Sequence, residues 1–155
     1  MTVGEMVRAL LCGAALLGIL CGCSGKLPDA SARLDDWMAE LGELPDGELY
    51  RSGVGEGEEG FLPPDLRDAM YGEDAEGLFL LIESYAIYLS SFAEPCELAV
   101  FCAYSANDAD RLAAMCLSRI DTLRTALRGT PMEAACERAE VTCKGRVVTC
   151  RVNVG

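Results

Sequence analysis

One stretch, Glu97-Leu-Ala-Val-Phe-Cys-Ala-Tyr104, restricts the architectures open to this chain more than any other. Successive side chains of a strand point to opposite faces. Here both sets are apolar: Leu98, Val100 and Cys102 on one side, Ala99, Phe101 and Ala103 on the other. A strand apolar on both faces needs cover on both, which places it in the middle of a sheet. The rest of the chain must supply neighbouring strands and something to lie over the sheet.

Those partners can be read nearby. Upstream, Leu78 to Ser91 is apolar, and from about Glu83 it alternates, with Tyr85, Ile87 and Leu89 set against Ala86 and Tyr88, which predicts a strand. Phe92 to Pro95 makes the turn. Downstream, Ser105 to Asp108 opens a long helix. Its stripe of Ala109, Leu112, Cys116, Ile120, Leu123 and Leu127 recurs at helical spacing. Arg111, Arg119, Arg124 and Arg128 fall largely off that stripe, and Gly129 with Pro131 ends the helix. Met132 to Cys136 adds one further turn.

Ala139–Cys143 and Arg146–Val152 then predict a hairpin about Lys144-Gly145. A two-residue turn there sets Cys143 opposite Arg146 and Val141 opposite Val148. Val141, Cys143, Val148, Cys150 and Val152 take the core face.

Towards the N-terminus, Ser31 caps a short helix carrying Leu34, Trp37, Met38 and Leu41, closed by Gly42, with Trp37 as a core anchor. Pro63-Pro64-Asp65 starts another short helix that ends at Tyr71-Gly72. Glu43 to Leu62 reads as irregular. The expected class is α+β: a small, mostly antiparallel sheet of about four strands packed on one long helix, with a short N-terminal helix.

The chain begins with a different kind of segment. Arg8 precedes an apolar run, Ala9 to Cys21. That run falls short of the roughly 20 residues a spanning helix needs, and its length suits the apolar region of an export signal. It ends in Leu20-Cys21-Gly22-Cys23, which resembles the lipobox of bacterial lipoproteins. The resemblance implies cleavage between Gly22 and Cys23 and a diacylglyceryl thioether on Cys23. Paired acyl chains anchor stably where one is marginal. The expected organisation is a signal peptide at 1–22, a lipidated tether at 23–30, and one extracytoplasmic domain at 31–155, lipid-anchored at the cell membrane.

Composition narrows the chemistry. The net charge is −12, and Glu5 and Arg8 of the leader cancel. The only lysines are Lys26 and Lys144. An acidic surface without a basic cluster repels nucleic acid, so no nucleic-acid partner is expected. With no histidine, Ser-His-Asp and Cys-His catalysis and His-ligated metal sites are ruled out. No catalytic residue, metal or cofactor is assigned.

Gly55-Glu-Gly57-Glu-Glu-Gly60 matches a dinucleotide fingerprint formally. Without a preceding strand, or a helix opening on the third glycine, it reads as a flexible acidic loop. Glu73, Asp74 and Glu76 extend the acidity but lack the spacing of a calcium loop.

Beyond Cys23 lie six cysteines: Cys96, Cys102, Cys116, Cys136, Cys143 and Cys150. An even number in an exported domain allows disulfides. The predicted core positions of Cys116, Cys143 and Cys150 favour buried thiols acting as small hydrophobes. Cys102 with a hairpin cysteine is the first pair to test. No Cys-x-x-Cys occurs.

The order strand, strand, helix, hairpin resembles an uncharacterised family of small Gram-positive lipoproteins, the domain-of-unknown-function family 4358. Tyr71-Gly72, Glu83 to Ser90, Glu97-Leu-Ala-Val-Phe101, the helix from Ser105 to Leu127, and Val141-Thr-Cys-Lys-Gly145 through Val152 carry the likeness. It implies an extracytoplasmic α+β domain and supplies no activity. The function expected is a non-catalytic binding or accessory domain, held to the membrane through Cys23 and meeting an envelope protein or cell-wall ligand. The alternatives are a carboxylate-dependent enzyme acting on the cell wall, motivated by the acidic stretch from Glu56 to Glu76, and a thiol-redox protein.

Overall fold

A computed structural model describes residues 29–91 and 94–153. The segment expected to be a signal peptide (1–22), Cys23, and residues 24–28 of the expected tether lie outside the described residues.

The elements run α1 (Ala30–Leu41), β1 (Gly47–Arg51), α2 (Pro64–Tyr71), α3 (Ala75–Phe79), β2 (Ile82–Ser90), β3 (Glu97–Ala103), α4 (Ala106–Leu127), a 3-10 turn (Glu133–Cys136), β4 (Glu140–Lys144) and β5 (Val147–Val152). The class is α+β. The strands form one antiparallel sheet in the order β1-β2-β3-β5-β4, five strands where about four were expected.

β3 lies at the centre and is buried along its whole length. Leu98, Val100 and Cys102 join Ala86, Tyr88 and Leu34 of α1 in one core. Ala99, Phe101 and Ala103 join the α4 stripe, together with Val148, Cys150 and Val152, in the other. The two apolar faces of one strand thus build a three-layer domain, with α1 on one side and α4 with α2 and α3 on the other. All six residues of the predicted stripe are buried, and Met115 adds to them. The Ser105 hydroxyl accepts from the Asp108 N–H at 3.1 Å, satisfying one of the open donors at the start of α4.

Several local expectations are corrected. α1 starts at Ala30, inside the segment assigned to the tether; Asp29 is its cap residue, and Ala30 is fully buried. Trp37 is half-buried at the rim of its core, while Leu34 fills the centre. The irregular stretch contains β1, an edge strand too short and too exposed to announce itself by alternation. A strand therefore does precede the glycine-rich loop, but it pairs antiparallel with β2, and the next helix opens at Pro64 rather than Gly60.

The glycine-rich loop is also ordered. The Arg51 N–H donates to the Gly60 carbonyl at 2.9 Å, and the Gly55 N–H donates to a Glu58 carboxylate oxygen at 2.9 Å. The apolar run from Leu78 starts in α3, and β2 begins at Ile82, close to the expected Glu83.

The hairpin turns one residue later than expected, on Gly145-Arg146, with Lys144 opposite Val147 and Cys143 opposite Val148. Gly145 at φ +62° occupies the first central position, where a left-handed conformation favours glycine. The shift moves the pairing by two residues, so each side chain keeps its predicted face.

Candidate functional site

Among the described residues, Glu97 is the only polar or charged one that is buried. It opens β3 on the α4 side, in register with Leu89 of β2 and Val152 of β5. Arg119 of α4 reaches it with two nitrogens, Nε at 3.1 Å and Nη2 at 3.0 Å, both on Oε2. A buried ionised carboxyl without a partner would be costly, and Arg119 supplies the partner. Burial pushes the Glu97 carboxyl above its ordinary value, while Arg119 opposes that shift. Glu97 Oε1 and the Tyr71 hydroxyl are both buried without a hydrogen-bond partner, and Tyr71 lies near enough to Glu97 to oppose the rise of its carboxyl in part. Burial, with the Glu97 charge adding to it, raises the Tyr71 phenol well above its ordinary value.

A cavity of about 40 Å3 adjoins the pair, walled by Leu89, Leu123, Leu127 and Val152. Such a space admits a few water-sized groups. A carboxyl that acts on substrate must come within about 2.6–3.2 Å of it. Glu97 commits one oxygen, Oε2, to Arg119 beside this cavity. The geometry makes this pair a pin between β3 and α4. Two shallower depressions flank the same end of the sheet. One, about 410 Å3, lies beside Asp46, Glu48 and Tyr50 and shares Leu89, Ser90 and Ser91 with the cavity. The other, about 280 Å3, lies beside Arg124, Arg128 and Glu133, near the end of α4.

The six cysteines fall into three places, and none is disulfide-bonded. Cys96 and Cys102 lie in the α1-side core. Cys116, Cys136 and Cys150 lie in the α4-side core. There the Cys116 thiol is raised well above its ordinary value, first by hydrogen bonding to the Cys150 thiol and then by burial. Cys143, expected in the core, is exposed, because β4 is an edge strand and this residue sits near its end, beside Asp110 of α4. The pairing of Cys102 with a hairpin cysteine is likewise corrected. Cys102 faces α1 while Cys143 and Cys150 point to the α4 side, so the sheet itself separates them.

Burial makes a sharp prediction about reactivity, since the thiolate is the nucleophile and must be reached. After removal of reductant, a maleimide should modify Cys143 in the native protein. Cys96, Cys102, Cys116, Cys136 and Cys150 should react only after denaturation. Peptide mapping reads the result, and native modification of any of those five would contradict the burial described. Cys143 should itself react slowly near neutral pH, because partial burial and the neighbouring Asp110 carboxylate raise its thiol.

The acidic residues that motivated an enzymatic reading, Glu56, Glu58, Glu59, Glu73, Asp74 and Glu76, are all exposed, and Glu58 is engaged by its own loop. Sequence reasoning missed Glu97 and Arg119. Compared with protein-family models, with curated proteins and with solved structures, the chain matches none.

Proposed function

We propose that this chain is a bacterial lipoprotein, anchored through Cys23 at the extracytoplasmic face of the membrane, whose domain binds or assists an envelope partner without catalysing a reaction. The likeness to the uncharacterised lipoprotein family belongs to the same reading. The observation that carries it is the lipobox-like Leu20-Cys21-Gly22-Cys23 so close to a helix that is already part of the core at Ala30. No helix of the described residues is long and apolar enough to cross a membrane.

Where the described chain enters the domain supports one orientation for such an anchor. The Ala30 N–H donates to Ser84 Oγ at 3.2 Å, near the start of β2. The cavity and the depression beside Glu48 are both lined by Ser90, at the other end of the same strand. At about 3.3 Å per residue the two ends stand about 20 Å apart. A lipid on Cys23 would hold the Ser84 end towards the bilayer and present the Ser90 end to a partner.

The full chain should fractionate with membranes and carry the added mass of a diacylglyceryl group. Cys23→Ala should lose both. Membrane retention of that variant, with unmodified mass in the parent, would remove the basis of the reading.

The contact between Cys116 and Cys150 favours one second reading, a thiol-redox role. It requires a reducible Cys116–Cys150 bond in the native protein, which the same peptide mapping detects.

A further inference from the structure

The described surface leaves three large apolar side chains in the open: Leu80, Tyr104 and Leu117. Isolated apolar residues on a surface are ordinary. Two of these are brought close by the backbone. Leu80 closes α3, and the Tyr104 N–H donates to the carbonyl of the next residue, Leu81, at 3.1 Å. Leu80 is 76% exposed and Tyr104 59%. The end of the sheet they occupy is the one that receives the chain from the anchor, since Ser84, which holds Ala30, lies just inside it. Extended to its limit of about 3.5 Å per residue, the segment from Cys23 to Ala30 reaches about 25 Å, so any lipid on Cys23 starts within that distance of Ala30.

We propose that this end of the domain seats on the membrane, with Leu80 and Tyr104 entering the interfacial layer of a phospholipid bilayer beside the lipid on Cys23. The proposal rests on the reading of Cys23 as lipidated. Tyrosine suits this layer, having an apolar ring and a polar tip. The platform behind it is firm: Arg146 Nη1 donates to the carbonyls of Ala103 and Tyr104 at 3.4 and 3.3 Å and pairs with Glu83 at 3.1 Å. Charge at this end is mixed. Lys144, Arg146 and Arg33 are set against Asp29, Glu83, Asp108 and Asp110. The contact is therefore apolar, with the layer of a zwitterionic bilayer, rather than an attraction to anionic headgroups. Leu117 stands apart, about 17 Å along α4 from its first residue.

The test uses the lipidated full chain reconstituted in phosphatidylcholine vesicles. Leu80→Cys and Leu117→Cys, each combined with Cys143→Ser, are labelled with an environment-sensitive fluorophore. The label at position 80 should shift to the blue and be quenched by nitroxide-bearing lipids, and the label at 117 should do neither. Flotation reports attachment separately. If the protein floats and the two labels behave alike, the seating is wrong while the anchor stands. If the protein does not float, the anchor reading fails and the seating falls with it.

Discussion

Arg119→Ala should cost about 3–5 kcal/mol of stability at pH 7, the range seen when one partner of a buried ion pair is removed. The loss arises less from the missing attraction than from what stays behind. Glu97 is buried, its Oε2 accepts both bonds from Arg119, and its Oε1 has no hydrogen-bond partner. Without the guanidinium, that carboxylate is an unpaired charge inside the α4-side core. Removing both charges together, as Glu97→Gln with Arg119→Met, should be far milder, because a desolvated ion pair stabilises little beyond an apolar replacement.

The same variant should be pH-dependent in a definite direction. Burial already holds the folded-state value of Glu97 above its ordinary 4.5, and Arg119 is the main opposing influence. Its removal raises the value further. A carboxyl whose folded value exceeds its unfolded one contributes stability that is complete below the unfolded value and lost as pH rises through the folded one. The deficit of Arg119→Ala relative to the parent should therefore shrink as pH falls from 7 towards 4.5. Urea unfolding at pH 7, 6 and 5 measures it. An equal deficit at all three would mean that Glu97 does not titrate in that window and that the cost has another origin, such as lost packing of the arginine stem.

How much of this was visible in the sequence follows from where the signal comes from. β3 was read correctly because burial on both faces leaves an apolar pattern on both sides of a strand, and α4 because a long stripe at helical spacing is hard to mimic. β1 escaped because an edge strand with one buried residue, Tyr50, carries almost no pattern. Cys143 misled because alternation identifies a face but not how far cover extends along it. The central pair escaped for a related reason. Glu97 sits on the core-facing side of β3, two residues before Ala99, and Arg119 sits three after Cys116, at the border of the stripe. Each looked like a polar residue at the margin of an element. Only the sheet register and the docking of α4 bring the two margins together.

Phe101→Ala should be the most damaging substitution within the apolar core, costing about 3–5 kcal/mol as a large buried ring is exchanged for a cavity. A domain stable by only about 5–15 kcal/mol would feel this severely. Phe101 is fully buried in the central strand, opposite Tyr85 on one side and Val148 on the other. Its ring also holds two helices. Tyr71 of α2 meets it edge-on at 5.9 Å and Phe79 of α3 at 6.1 Å, and those two rings lie 5.8 Å from each other. Edge-to-face pairs contribute about 0.5–1.5 kcal/mol beyond the area they bury. Losing the shared ring should therefore loosen α2 and α3 ahead of the sheet. Phe101→Leu leaves a smaller void and should cost less. Leu98→Ala, on the opposite face of the same strand, removes contacts to α1 instead and should leave α2 and α3 as protected as in the parent. Hydrogen exchange separates these outcomes. Faster exchange in residues 64–79 of Phe101→Ala but not of Leu98→Ala is the expected pattern, and a uniform rise in both would show that the two cores open as one unit.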